Sequence, residues 1–196
     1  MNIAIIKYNA GNTKSVEHAL HRLGIQPVIT DDAEQIQQAD KVIFPGVGHA
    51  EATMQHLREL KLDKVIKELK QPVLGICLGQ QLMCKHSEEG NTDCLDIFPI
   101  MVKKFETVDL QYKIPQIGWN NLTDLKSPLF NKINEQSFVY FVHSYYCENS
   151  EYSIATCNYI LPFAAALQKD NFYAVQFHPE KSADVGNKII ENFIII

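Results

Sequence analysis

The first half of the chain alternates short apolar runs with segments whose apolar residues recur at helical spacing. The apolar runs predict strands at residues 3–6, 27–30, 41–44 and 73–76. The i, i+3, i+4, i+7 spacing of an amphipathic helix follows the first run, at Val16, Ala19, Leu20 and Leu23. Strands that alternate with helices are typical of a parallel sheet covered by helices on both faces. This pattern therefore predicts an α/β fold around a mostly parallel central sheet.

The second half of the chain has a different pattern, in which strand-like runs are separated by turns rather than helices. These runs cover residues 101–108, 138–142, 153–156, 164–168 and 173–177. We expect them to form an antiparallel or mixed extension of the sheet, with a closing helix over 185–194. The 196 residues contain no repeat, low-complexity segment or linker, so we expect one domain over residues 1–196.

Composition and charge exclude several classes of function. The net charge is −5 and no run of Lys or Arg stands out, so no nucleic-acid partner is expected. No apolar stretch approaches the roughly 18 residues needed to cross a bilayer, and residues 3–6 are too few for a signal-peptide core. The five cysteines are odd in number and form no C-x-x-C pair, which disfavours a disulfide framework or a zinc site. We therefore expect a cytoplasmic protein with no membrane contact and no metal.

The segment Gly75-Ile76-Cys77-Leu78-Gly79 carries the sharpest chemical signal. It matches the G-x-S-x-G nucleophile elbow with sulfur in place of oxygen, directly after a predicted strand and before a predicted helix. Such a turn projects Cys77 into a cleft near a helix N-terminus, which favours the thiolate. It also aims the backbone N–H of Leu78 at the position of an oxyanion. The alternative is a buried cysteine in an ordinary strand-to-helix turn.

The segment His178-Pro179-Glu180 supplies candidate partners for a cysteine nucleophile. It follows the predicted strand at 173–177, and ligands of open parallel sheets bind beyond the carboxyl ends of the strands. A cysteine nucleophile needs a base, and that base needs a carboxylate that fixes its tautomer and orientation. Alone the segment predicts only a surface turn, but beside the cysteine elbow it predicts a Cys-His-Glu arrangement.

The segment Pro45-Gly46-Val47-Gly48 ends a third predicted strand. Its glycines allow close approach of a ligand and unusual backbone angles, so it supplies a second oxyanion N–H or merely turns the chain. Neither the GxGxxG fingerprint nor the P-loop lysine is present, so no nucleotide or other cofactor is expected. His143, at the end of the run 138–142, is the other histidine in a strand-end position.

Taken together, these features resemble the class I, or triad-type, glutamine amidotransferases over nearly the whole chain. The segments that carry the resemblance are residues 8–12, 45–48, 74–82, 117–120, 142–145 and 176–182. The resemblance implies a flavodoxin-like α/β fold and a triad of Cys77, His178 and Glu180. It also implies that Cys77 attacks the side-chain amide of glutamine, releasing ammonia and leaving a γ-glutamyl thioester for hydrolysis.

The same resemblance assigns residues around the triad. The positions that match the family's oxyanion hole are Val47, Gly48 and Leu78. The positions that match its glutamine-binding residues are Gly46, Gly48, Gln81, Glu89, His143, Ser144 and Tyr145.

Within the family, the segments 9–12, 45–48 and 118–120 resemble those of glutaminase subunits that work in histidine biosynthesis. Such a subunit forms a heterodimer with a cyclase subunit of (β/α)₈-barrel fold, to which it passes ammonia. The resemblance implies contacts with that barrel at Asn12, Trp119, Tyr140 and Lys181. The chain departs from the usual pattern at residues 93–96, 159–163 and 194–196, away from the triad.

Three alternatives stay open at this level. A paralogous glutaminase subunit that serves sugar amidation for surface polysaccharides would share every catalytic residue. A free-standing cysteine hydrolase would act without a partner. A flavodoxin-like domain with a redox-sensing cysteine would need no His–Glu pair, and the segment at 178–180 argues against it.

Overall fold

The computed structural model describes residues 1–8 and 12–196, so part of the segment 8–12 lies outside the described residues. The strands are β1 (Ile3–Ile6), β2 (Val28–Thr30), β3 (Lys41–Gly46), β4 (Val73–Cys77), β5 (Cys84–Ser87), β6 (Thr92–Asp93), β7 (Phe98–Lys104), β8 (Gln116–Asn121), β9 (Phe138–His143), β10 (Tyr145–Cys147), β11 (Ser153–Tyr159), β12 (Leu161–Lys169) and β13 (Phe172–Val175). The helices are α1 (Thr13–Arg22), α2 (Ala33–Gln38), α3 (Ala50–Glu59), α4 (Leu62–Glu68), α5 (Leu78–Met83) and α6 (Ala183–Ile195). Two short 3₁₀ helices cover Pro128–Phe130 and Pro179–Lys181.

A seven-stranded sheet forms the centre of the molecule, in the order β11-β12-β13-β4-β3-β1-β2. The five strands β13, β4, β3, β1 and β2 are parallel to one another. Strand β12 runs antiparallel to β13, and β11 runs antiparallel to β12. The predicted parallel sheet with an antiparallel extension is therefore confirmed.

Apolar side chains on both faces of the central sheet form two cores. Successive residues of β1 point to opposite faces, so Ile3 and Ile5 join one core while Ala4 and Ile6 join the other. Helices α1 and α6 cover the first face, and α3, α4 and α5 cover the second. Among the described helices, none is long and apolar enough to cross a membrane.

Part of the second half differs from the expected extension. The strand predicted at 101–108 is β7, and it belongs to a separate four-stranded sheet in the order β10-β7-β5-β6. The chain leaves this sheet at Phe105, whose buried ring stacks on Tyr146 at a centroid distance of 4.6 Å. Strands β5 and β6 are short and rich in polar residues, so no apolar run marked them. Strands β8 and β9 form a third, two-stranded sheet.

Helix α2 was not expected, because its periodicity is weak. Ile36 is its one buried residue, so no apolar stripe marks it in the sequence. Its start depends instead on Asp32, whose carboxylate accepts a hydrogen bond from the backbone N–H of Gln35 at 2.8 Å. Helix α5 begins at Leu78, as the elbow pattern predicts, and packs so closely on β3 that a Cβ at Gly79 would lie 2.0 Å from the Phe44 carbonyl oxygen.

Replacing Gly79 tests this close approach. We expect Gly79→Ala to lower the free energy of unfolding by about 3 kcal/mol, because overpacking a rigid backbone contact outweighs the roughly 1 kcal/mol that alanine gains in a helix. Gly24→Ala is the matched control, since Gly24 has φ +77° and a Cβ added there would meet no atom within 4 Å. Its cost should be about 1 kcal/mol, from backbone conformation alone. Urea unfolding that ranks Gly24→Ala as the more damaging change would contradict the packing argument.

Candidate active site

The carboxyl ends of three neighbouring parallel strands meet at one edge of the central sheet. Gly46 at the end of β3 pairs with Cys77 at the end of β4, and Val175 at the end of β13 pairs with Ile76. The loop after β3, the elbow after β4 and the segment after β13 therefore lie side by side, as the sequence predicts.

Cys77 occupies a strained turn between β4 and α5. Its φ is +53° and its ψ is −108°, in a region that non-glycine residues seldom adopt. Leu78 begins α5, so its backbone N–H has no acceptor within the helix. A nucleophile elbow has this conformation, because it presents the side chain above the sheet and leaves the next N–H free for a ligand.

His178 and Glu180 form a buried pair beside the elbow. His178 Nδ1 lies 2.7 Å from Glu180 Oε1, and their side chains are 1% and 0% exposed. Burial disfavours the charged imidazole, but Cys77 and Glu180 reverse that effect and raise the pKa of His178 to about 10. The imidazole is therefore protonated at neutral pH, with Nδ1 donating to the carboxylate. Within the described residues Nε2 has no hydrogen-bond partner, which leaves it available to a reacting group.

A cavity of about 320 Å³ opens above Cys77. Its lining residues are Val47, Gly48, Cys77, Leu78, Gln81, Glu89, Pro115, Val142, His143, Ser144, Tyr145 and His178. Glu180 lies behind His178 and does not line the cavity. A cysteine and a histidine therefore face one small space, with the carboxylate placed to hold the histidine.

Comparison with known proteins shows to which family a chain with this arrangement of Cys77, His178 and Glu180 belongs. The family described as glutamine amidotransferase class-I matches residues 4–196. The chain belongs to this family. It is therefore an enzyme that hydrolyses glutamine.

Two relatives match along almost their whole length. The chain is 60% identical over 194 residues to the imidazole glycerol phosphate synthase subunit HisH of Bacteroides fragilis, covering 99% of each chain. It is 55% identical to the protein of the same name from Bacteroides thetaiotaomicron, again covering 99% of each. Among solved structures, that of PurLQS from Thermotoga maritima matches with a TM-score of 0.74 at 15% identity, covering 99% of this chain and 97% of that one. The structural likeness shows the fold.

Two of the polar side chains expected to bind glutamine form hydrogen bonds with backbone groups of the protein. Glu89 lines the cavity, and its Oε2 accepts the backbone N–H of Ala50, at the start of α3, at 2.7 Å. The Gln81 side-chain nitrogen donates to the Tyr145 carbonyl oxygen at 2.9 Å. These contacts fix one carboxylate and one amide at the cavity wall before any ligand binds.

Gly46 does not line the cavity. Its lack of a side chain instead allows neighbouring residues to pack closely against it. A Cβ there would lie 2.6 Å from Tyr8 Oη and 2.8 Å from Leu78 Cβ. The Tyr8 hydroxyl donates to the Pro45 carbonyl oxygen, which connects the start of the 45–48 loop to the segment after β1. Burial, followed by the nearby Cys77, raises the pKa of Tyr8, so the phenol stays protonated as a donor.

His143 is held within the protein at both ring nitrogens. Nδ1 lies 2.7 Å from the Tyr145 carbonyl oxygen, and Nε2 lies 2.9 Å from the Gln116 side chain. Burial, with a smaller contribution from the charge of His178, lowers the pKa of His143 to about 4. The ring is therefore neutral at pH 7 and has a single N–H, so it donates to either the Tyr145 carbonyl oxygen or Gln116 Oε1, but not to both. Neither nitrogen remains for glutamine or for proton transfer.

Two of the residues expected to contact the partner, Asn12 and Tyr140, form hydrogen bonds with Glu180 and His178. Asn12 donates to Glu180 Oε1 at 3.3 Å, so it contacts the buried carboxylate directly. The Tyr140 carbonyl oxygen accepts the backbone N–H of His178 at 2.9 Å. The Ser182 hydroxyl links both segments, because it accepts from the Tyr140 N–H and donates to the His178 carbonyl oxygen. Trp119 and Lys181 are exposed.

Three residues near Cys77 were not expected at the site. Pro115 and Val142 line the cavity, and the side-chain nitrogen of Gln176 contacts the sulfur of Cys77. Pro115 and Val142 are apolar residues with no chemical signature. Gln176 carries a weak signal, since it lies two residues before His178 and thus on the same side of an extended chain.

The remaining cysteines are buried or partly buried thiols away from the cavity. Cys84 and Cys147 are fully buried with sulfur atoms 3.5 Å apart, and burial raises the pKa of Cys84. Burial likewise raises the pKa of Cys94 and of Cys157, each to about 12. None of these three is a thiolate near neutral pH. Among the described residues, no cluster of three or more side chains is arranged to hold a metal ion.

The two buried histidines should titrate in opposite directions. In the folded enzyme we expect the ring of His178 to stay protonated until about pH 10 and the ring of His143 to stay neutral down to about pH 4. Nuclear magnetic resonance of the imidazole nitrogens measures both. In the urea-unfolded chain, which is the control, both should titrate near pH 6.5.

The raised pKa of His178 also predicts how stability depends on pH. Protonation stabilises the folded state fully below about pH 6.5, the unfolded value, and this contribution is lost as pH rises through about 10. The stability difference between the parent and His178→Asn should therefore shrink over that interval. A constant difference, or a His178 ring that titrates near 6.5, would contradict the buried ion pair.

Proposed function

We propose that the chain is the glutaminase subunit of an imidazole glycerol phosphate synthase. It hydrolyses glutamine and supplies ammonia to a separate cyclase subunit for histidine biosynthesis. The observation that carries the proposal is that the strained Cys77 faces the same cavity as His178, which is paired with the buried Glu180. The two relatives that carry the synthase name, at 60% and 55% identity over 99% of the chain, support this pathway over sugar amidation. The free thiols support a reducing cytoplasm as its compartment.

Cys77, His178 and Glu180 are the proposed catalytic triad. The thiolate of Cys77 attacks the side-chain carbonyl carbon of glutamine, forming a C–S bond and a tetrahedral oxyanion. The C–N bond then breaks, His178 gives its Nε2 proton to the nitrogen, and ammonia leaves. Water, deprotonated by His178, hydrolyses the thioester and releases glutamate. Glu180 keeps the imidazole oriented through the 2.7 Å bond to Nδ1.

Backbone N–H groups are proposed to stabilise the oxyanion. The N–H of Leu78 is free at the start of α5. Val47 and Gly48 also line the cavity, and Gly48 has φ +125°, which side-chain-bearing residues rarely adopt. A donor from this loop would complete the oxyanion hole, and losing one such donor typically costs about 10²–10³ in rate.

The polar wall of the cavity is proposed to bind the amino-acid end of glutamine. The Glu89 carboxylate offers a counter-charge for its ammonium group, while Gln81, Ser144 and Tyr145 surround the rest of the chain. Gly48 contributes backbone. The assignments for Gly46 and His143 are indirect, because Gly46 lies beneath the cavity and the His143 nitrogens are occupied.

The face formed by β8 and β9 is proposed to bind the (β/α)₈-barrel cyclase, forming a heterodimer. Trp119 is 52% exposed, and its ring meets Tyr140 edge-on at a centroid distance of 6.1 Å. Ile117 and Phe138 are 63% and 55% exposed on the same face. A cluster of exposed large apolar side chains is typical of a protein interface. Of the other two proposed contact residues, Asn12 donates to Glu180 and Lys181 follows Glu180 in the chain.

Replacing the nucleophile tests the mechanism. Cys77→Ala should abolish glutamine hydrolysis measured with the cyclase subunit present, because no thiolate remains to form the thioester. Cys157→Ala is the matched control, since Cys157 is also buried and lies outside the cavity. It should keep the parent rate at some cost in stability. Turnover by Cys77→Ala near the parent rate would refute the proposed chemistry.

Titration with the cyclase tests the partner and its interface. We expect glutaminase activity to rise on addition of the cyclase subunit, as ammonia release is useful only in the complex. Trp119→Ala should weaken the complex by about 30-fold, the size of effect typical for an interface tryptophan. Val28→Ala is the control, because Val28 is exposed on the far edge strand β2. Full activity without any partner would favour a free-standing hydrolase, and no hydrolysis at all would favour a sensor.

A further inference from the structure

Gln176 is a fully buried polar residue whose side chain contacts the sulfur of Cys77. It lies just after β13 and two residues before His178, and its backbone N–H donates to the Ala165 carbonyl oxygen at 2.8 Å. We propose that Gln176 is a positioning residue, which holds Cys77 Sγ through a hydrogen bond and links it to Gln81 in the wall of the glutamine cavity. The inference rests on the proposed function, in which Cys77 is the nucleophile.

A chain of three hydrogen bonds joins the nucleophile to the cavity wall. Gln176 Nε2 lies 3.7 Å from Cys77 Sγ, within the range for a hydrogen bond to sulfur. Gln176 Oε1 accepts from Gln81 Nε2 at 2.9 Å. The same Gln81 nitrogen donates to the Tyr145 carbonyl oxygen, also at 2.9 Å. Cys77 is thereby connected to β10, whose Tyr145 also lines the cavity.

The hydrogen-bond partners fix the direction of the Gln176 amide. A backbone carbonyl can only accept, so Tyr145 requires that Gln81 present its NH₂ group. That NH₂ group then requires an oxygen from Gln176, because two donors would repel each other. The Gln176 NH₂ group is left facing Cys77. The same reasoning uses both hydrogens of the Gln81 amide, so Gln81 offers glutamine only its oxygen.

A donor at this position opposes another neighbour of the sulfur. The Val142 carbonyl oxygen lies 3.9 Å from Cys77 Sγ, where it favours the protonated thiol and repels the thiolate. The Gln176 N–H does the reverse, since it stabilises negative charge on sulfur. Gln176 is 0% exposed, so water does not compete for this bond. Gln176 therefore favours the nucleophilic form of Cys77 and restricts where the sulfur can lie.

Two substitutions of Gln176 test the proposal. Gln176→Leu removes the donor, and Gln176→Glu keeps the shape but turns an oxygen toward the sulfur. Gln80→Leu is the matched control, because Gln80 is also fully buried, and its side-chain nitrogen donates to the Ala164 carbonyl oxygen, away from the cavity. All three variants lose a buried amide, and the Gln176 variants alone lose a contact with Cys77.

Two measurements separate a positioning role from a packing role. The first is the pH dependence of Cys77 alkylation by iodoacetamide, followed by mass spectrometry of the peptide that contains it. The second is the kcat and KM for glutamine hydrolysis in the complex with the cyclase subunit. For Gln176→Leu we expect the alkylation profile to move to higher pH and kcat to fall about 10–100-fold, with KM within about threefold of the parent. Gln176→Glu should move the alkylation profile further, and Gln80→Leu should move neither.

The outcomes that overturn the proposal are distinct from failure of the proposed function. An alkylation profile unchanged in both Gln176 variants, or shifted equally by Gln80→Leu, would overturn it. If Gln176→Leu does not fold, Gln176→Glu decides by the same comparison with Gln80→Leu. A wrong function would instead appear as no glutamine hydrolysis by the unsubstituted complex, while the alkylation profiles would still report on the bond between Gln176 and Cys77.

Discussion

The parallel alignment of β3, β4 and β13 is the constraint on which the site depends. Hydrogen bonds between these strands bring Gly46, Cys77 and the segment after Val175 to one edge of the sheet. Helix α5 can start at that edge only because it lies against β3 with no side chain at Gly79. The strain at Cys77 follows, since the chain must reverse within one residue between a buried strand and a closely packed helix.

Around this turn, hydrogen bonds within the protein hold most polar side chains before any ligand arrives. His143, Gln81 and Glu89 each use at least one polar atom on a backbone group or a neighbouring side chain. Such preorganisation lets a site stabilise developing charge without rearrangement. The two histidines differ in charge, because Cys77 and Glu180 keep His178 protonated, whereas burial, with a smaller contribution from the charge of His178, keeps His143 neutral.

The local sequence pattern was enough to predict the strands and the turn that carry the active-site residues. The apolar runs of β1, β3 and β4 and the glycines around Cys77 have direct signatures in sequence, and so has the histidine that follows β13. Helix α2, with one buried residue, and the polar strands β5 and β6 lack such signatures, because distant partners stabilise them. Gln176 was missed for a related reason. Its role depends on Gln81 and Tyr145, which are brought near it only by the fold.

The contact between Glu89 and helix α3 ties the cavity to the stability of the scaffold. The carboxylate that faces the cavity also accepts the first N–H of a ten-residue helix. A substitution that altered which amino acids the cavity admits would at the same time remove a helix cap, a loss of about 1 kcal/mol. Variants that acquire a new substrate selectivity by replacing Glu89 would therefore have a lower free energy of unfolding. Substitutions at this position need compensating changes elsewhere in α3.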